Sequence, residues 1–108
     1  MRSFHNTIDY TGELLLKAEQ NARKQEDKIL IFFVSKPGER FTPFEIQKAV
    51  LPYAPVTSVR RAMTNLTTKG YLIKTDDQKL EEWGKHNYLW KLANIAKALN
   101  YIREKENG

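Results

Sequence analysis

Thr57-Ser58-Val59-Arg60-Arg61-Ala62-Met63-Thr64-Asn65-Leu66-Thr67-Thr68-Lys69-Gly70-Tyr71-Leu72-Ile73-Lys74 is the stretch on which the fold turns. Its pattern predicts a helix that stops at a glycine and runs directly into a strand. At a helical turn of about 100° per residue, Val59, Ala62, Met63 and Leu66 share one apolar face. The opposite face carries Arg61, Thr64 and Thr68, with Arg60 and Asn65 on its flanks. It holds two guanidiniums and several short hydrogen-bonding side chains but no acid. A solvated helix face ordinarily mixes Lys with Glu at i,i+4 spacing. A face without acids suits an anionic partner whose edge offers donors and acceptors, and nucleic acid is the first such partner.

Upstream of this helix the local signals are strong. In Phe41-Thr42-Pro43-Phe44-Glu45-Ile46, Thr42 is placed to cap a helix, Pro43 suits the first helical position, and Glu45 can close a capping box. Phe41 and Ile46 stand at the two ends of a hydrophobic staple. That helix must stop before Pro52, and Pro52-Tyr53-Ala54-Pro55 is a short turn. Thr57 is the expected cap of the next helix. Before Phe41, the segment from Gln25 is rich in large apolar residues, with Ile29, Leu30, Phe32, Phe33 and Val34, and ends at Ser35-Lys36-Pro37-Gly38. Two short helices joined by a tight turn, preceded by a third, make a helix-turn-helix arrangement.

Downstream, Tyr71-Leu72-Ile73-Lys74-Thr75 reads as a strand, residues 76–85 as a polar loop, and His86-Asn87-Tyr88-Leu89-Trp90-Lys91-Leu92 as a second strand. The two form a hairpin with a long tip. Residues 1–10 carry no strong pattern and are expected to be a loose arm. Thr11 can cap a helix through Arg23 with a thin stripe of Leu14, Leu15, Ala18 and Ala22. No proline or glycine separates this helix from the one at Gln25, so one bent helix and two helices are both compatible with the sequence. Residues 93–105 predict a last helix, with Leu92, Ile95, Ala96, Leu99 and Ile102 at a/d-like positions.

The 108 residues suffice for a single core without disulfides. A hydrophobic content of 41% and a charged content of 29% are globular values. The net charge of +5 favours an anionic partner. The absence of cysteine excludes a disulfide framework, a thiolate zinc site and a cysteine nucleophile. The amino-terminal residues lack an apolar signal-peptide core, and the longest apolar run, residues 29–34, is too short to span a bilayer. A cytoplasmic location is expected. His5 and His86 are far apart in the chain, so no metal site is expected, and no cofactor motif or nucleophile–base constellation points to an enzyme.

With these elements in order, the chain resembles the winged helix-turn-helix DNA-binding proteins of bacteria and their phages. The match runs from about Gln25 to Leu92 and is most specific at residues 57–66 followed by Lys69-Gly70-Tyr71-Leu72-Ile73, which resembles a recognition helix leading into the first wing strand. The implied fold is α+β and mostly α, with a three-helix core, a two-stranded β-hairpin wing, and added N- and C-terminal helices. The implied organisation is an arm and helix over 1–24, the winged domain over 25–92 and an amphipathic helix over 93–108. The resemblance implies sequence-specific binding of double-stranded DNA and a role in transcription regulation. The alternative is a winged-helix protein–protein interaction module that does not bind DNA.

On that resemblance Ser58, Arg60 and Arg61 lie near the leading end of the recognition helix, and Arg61 reads a base edge. Thr64, Asn65 and Thr68 contact bases or phosphates, and Lys79, Lys85 and His86 approach DNA from the wing. The wing loop also holds Asp76, Asp77, Glu81 and Glu82, which make it locally anionic. Trp90 is assigned to packing, whereas Trp83 fits packing or stacking equally. The stripes of the two terminal helices either pack on each other within one chain or make a homodimer, and two-fold recognition of DNA half-sites favours the homodimer.

Overall fold

In the computed structural model, residues 2–81 and 84–107 are described; Glu82 and Trp83 lie outside the described residues. The chain orders as α1 (Arg2–Asn21), α2 (Gln25–Ser35), α3 (Pro43–Val50), α4 (Val56–Thr68), β1 (Leu72–Leu80), β2 (His86–Leu92) and α5 (Ile95–Asn107). It is a winged helix: α2, α3 and α4 pack around a shared core, and β1 and β2 form an antiparallel hairpin.

Helix α2 is the centre of the core because it is apolar almost all round. Ile29, Leu30 and Phe33 are fully buried, and the helix packs against α1, α3, α4, α5 and β2. Ile46 and Leu51 close one side of it, and Val59 and Met63 another, all without exposed surface. The capping box of α3 forms as its residue types require: the Thr42 hydroxyl accepts the Glu45 N–H at 3.2 Å, and Glu45 Oε1 accepts the Thr42 N–H at 2.9 Å. Helix α4 begins two residues earlier than expected, because Pro55 and not Thr57 is its N-cap. Pro55 is extended, at φ −63° and ψ 146°, and its carbonyl accepts from Ser58 and Val59. Its missing N–H costs nothing at a cap, and Thr57 is released onto the exposed surface.

Two further expectations are corrected, and one open alternative is decided. The N-terminal segment is not a loose arm: α1 starts at Arg2, and Thr11 lies inside it. No proline interrupts residues 2–10, and once Leu14 and Ala18 are buried, extending the helix toward the N-terminus adds a hydrogen bond per residue. The chain breaks at Lys24, whose backbone is extended, so α1 and α2 are two helices. Strand β1 runs on to Leu80 through residues read as loop. Its outer part is exposed, so the ladder to β2 satisfies the backbone while the polar side chains remain in water. A bulge lies between Lys74 and Gln78, where the Thr75 hydroxyl donates to the Leu89 carbonyl at 2.7 Å.

The apolar stripe of α5 is rotated from its expected position. Ile95 and Ala96 are exposed, whereas Ala98 and Ile102 are buried, with Leu99 and Tyr101 packed beside them. The buried cluster includes Leu14, Ala18, Ala98 and Ile102, so the terminal helices pack on each other and on α2 within one chain. Polar contacts fix this packing: the Tyr101 hydroxyl donates to Asp27 Oδ1 at 2.7 Å, and Lys105 Nζ donates to Asp27 Oδ2 at 2.9 Å.

Burial, reinforced by the bond to Asp27, pushes the Tyr101 hydroxyl from 10.0 up to about 12. The unfolded chain therefore releases this proton first, and the stabilising contribution is complete below pH 10 and falls away as the pH rises toward 12. Urea unfolding of the wild type should weaken across this window more steeply than unfolding of Tyr101→Phe. Parallel curves would show that Tyr101 is not the group responsible.

Candidate nucleic-acid interface

Helix α4 buries Val59, Ala62, Met63 and Leu66 and turns Thr57, Arg60, Arg61, Thr64, Asn65 and Thr68 outward, with Ser58 half-buried. Neither arginine has a carboxylate partner among the described residues. The Thr64 hydroxyl donates to the Arg60 carbonyl at 3.0 Å and keeps its lone pairs free to accept. Thr57 stands in the middle of this face, and reading it as a cap concealed it. The signal that could have found it was the proline two residues earlier, which is able to end the turn by itself.

The acid-free face of the sequence acquires an acid in three dimensions. Glu26, in the first turn of α2, accepts from Asn65 Nδ2 at 3.2 Å and from Lys69 Nζ at 2.9 Å. The Lys69 bond, chiefly, holds the Glu26 carboxyl below its ordinary range, against the opposing effect of burial, and Glu26 in turn raises Lys69. Asn65 is thus engaged with the protein, unlike Arg61 beside it. Two clefts flank the helix. One, of about 430 Å³, lies on the α2 side and includes Ser58, Arg61, Asn65 and Lys69 together with Glu26 and Asp27. The other, of about 270 Å³, lies on the hairpin side and includes Arg60, Thr64, Lys74, His86, Tyr88 and Trp90.

The predicted wing residues separate. His86 lines the hairpin-side cleft, and Lys85 is exposed in the turn. Lys79 is paired with Glu45 of α3, which raises its pKa, so the hairpin is fastened to the helix-turn-helix unit there. Arg40 pairs with Asp77 close by along the same strand. Of the acids that make the hairpin anionic, Asp77 is therefore matched by a cation from outside it.

The hairpin leaves α4 through a Schellman turn. The Tyr71 N–H reaches the Leu66 carbonyl at 2.9 Å, and the Gly70 N–H reaches that of Thr67 at 3.0 Å. Gly70 has φ +89°, and Lys97 Nζ from α5 donates to the Lys69 carbonyl at 2.7 Å across the same turn. Trp90 anchors the other strand, its indole N–H donating to the Thr67 hydroxyl at 3.1 Å.

No protein-family model and no curated protein matches the sequence. Solved structures do. The chain is similar to a possible transcriptional regulator from Methanosarcina mazei, with a TM-score of 0.56, 19% identity, and 88% of this chain and 78% of that one covered. It is also similar to a MarR mutant from E. coli complexed with operator DNA, with a TM-score of 0.52, 18% identity and coverages of 95% and 70%. A third is a MepR mutant from S. aureus bound to an oligodeoxyribonucleotide, with a TM-score of 0.52, 15% identity and coverages of 99% and 79%. At these identities the likeness establishes the shared winged-helix fold.

Gly70→Ala should destabilise the fold by about 1–2 kcal/mol, because a side chain is strained at positive φ. An added Cβ would also stand 2.6 Å from Lys97 Nζ and displace it from the Lys69 carbonyl. Chemical denaturation monitored by circular dichroism checks this, and an unchanged midpoint would refute it.

Proposed function

We propose that this protein is a sequence-specific, double-stranded DNA-binding regulator of transcription, with α4 entering the major groove. The observation that carries the reading is the outer face of α4, where Arg60 and Arg61 stand unpaired among exposed threonines. A guanidinium at the centre of that face suits guanine O6 and N7, and Arg61 is the base reader. Ser58, Thr64, Asn65 and Thr68 act as contacts to bases or phosphates, to which Thr57 is added. Asn65 must leave Glu26 to take part. At the wing, His86 and Lys85 are available, and Lys79 reaches phosphate only by releasing Glu45. The MarR and MepR structures with bound DNA support this reading over a protein–protein module. The role is regulatory rather than enzymatic, and it places the protein in the cytoplasm; no helix among the described residues is long and apolar enough to cross a membrane.

The test is a gel shift with duplexes selected from a random pool. Arg61→Ala should cost about 1–3 kcal/mol on the preferred duplex and far less on mixed-sequence DNA. A folded variant that keeps both affinity and preference would remove Arg61 from recognition. Wild-type protein that shifts no duplex at low salt would support the protein–protein reading instead.

The same reading makes the protein a homodimer, since a single recognition helix reads few base pairs and paired half-sites lie about one DNA turn apart. Within one chain Ile102 is already buried at 3% exposure, so it serves the intrachain packing. Leu16 and Ile95, at 59% and 43% exposure, are large apolar residues that the terminal helices leave uncovered among the described residues. Sedimentation should show a dimer for the wild type and a folded monomer for Leu16→Glu combined with Ile95→Glu. A monomeric wild type would refute the dimer.

A further inference from the structure

The two clefts beside the recognition helix differ in charge. The α2-side cleft contains Glu26 and Asp27, which already occupy Lys69 and Lys105. The hairpin-side cleft has no carboxylate among its described lining residues. Arg60 reaches it from α4, and Lys74 from β1. The Lys74 ammonium stands 4.5 Å from the Tyr88 ring centre and 5.4 Å from that of Trp90, so its cation is held by the cleft's own aromatic rings. Thr64 and His86 complete the polar rim. The floor is apolar: Trp90 is 5% exposed, and Pro43 is buried beside it.

We infer that this cleft seats one phosphodiester of the bound DNA strand, held between Arg60 and Lys74, with its deoxyribose against Tyr88. The inference rests on the DNA-binding reading above and deepens it. A strand leaving the major groove at α4 must pass the hairpin, and the cleft lies between the two. Two cations from different elements suit a single negative group, and the ring floor suits the sugar, which free phosphate lacks. The wing then meets DNA along its inner face, while Lys79 near its tip stays fastened to Glu45. Neither Lys74 nor Tyr88 stands out in the sequence as a contact, because only the packing of the hairpin beside α4 brings them to the same cleft as Arg60.

The test measures the salt dependence of duplex binding for wild type, Arg60→Ala, Lys74→Ala and the double variant, each checked for folding by circular dichroism. Each neutralised phosphate contributes about 0.9 to the slope of log affinity against log salt. A shared phosphate predicts that the double variant lowers the slope by about one and each single variant by no more. Tyr88→Ala should weaken binding several-fold at every salt concentration with the slope unchanged. An unchanged slope in the double variant overturns the seat, as does a loss of about two, which would mean separate phosphates. Arg61→Ala separates the levels: if it weakens binding while the double variant keeps its slope, only the cleft assignment falls. If wild type binds no duplex, the DNA reading falls and the seat with it. Inorganic phosphate titrated calorimetrically into free protein should give no saturable heat, and saturable heat that vanishes in Lys74→Ala would assign the cleft to a free anion instead.

Discussion

The structure depends on one residue held on three sides. The backbone of Trp90 pairs with Phe41 in both directions, at 2.9 and 2.8 Å, and lies opposite Lys74 in the hairpin ladder. Its indole, nearly buried, donates to Thr67 on α4. A buried indole N–H needs an acceptor, since leaving it unpaired costs about 1–3 kcal/mol. Helix α4 and the hairpin therefore cannot rotate independently. Phe41 carries the constraint inward, its ring 5.0 Å from Phe32 and 5.5 Å from Phe33 of α2, and the capping box of α3 starts at the next residue. One short segment thus links the central helix, the hairpin and the helix-turn-helix unit.

A second organising feature is the first turn of α2, where neighbouring acids face opposite ways. Glu26 reaches the C-terminal end of α4, and Asp27 reaches Tyr101 and Lys105 of the C-terminal helix. Acids at a helix N-terminus complement its dipole, so both positions are favourable locally. Lys69, with its side chain 58% exposed, gains little stability from such a pair. Glu26 neutralises one flank of α4 and leaves Arg60 and Arg61 without a carboxylate partner among the described residues.

Much of this architecture rests on interactions between residues close in sequence, and these are legible without coordinates. The capping box at Thr42 and Glu45, the proline that ends α3, the apolar run of α2 and the glycine that ends α4 each follow from residue type within a few positions. The outward face of α4 is equally legible, since its burial follows from a period of 3.6. Local reading failed where two local solutions competed. Thr57 and Pro55 could each begin the helix, and residues 76–80 could be loop or exposed strand, with the pairing partner deciding the outcome.

What the sequence by itself determined is therefore the order of the elements from α2 onward and most of the residues that α4 presents. Tertiary structure alone decided which of those residues remain available. Asn65 and Lys69 are claimed by an acid 39 and 43 residues away, and Lys79 by one 34 residues away. The rotation of the α5 stripe was likewise set by a partner, with Tyr101 turned toward Asp27, 74 residues distant. Periodicity and capping act within a turn or two of chain and are written in it. Ion pairs and clefts between elements exist only after the core has fixed the distance between surfaces, so their partners cannot be read from spacing.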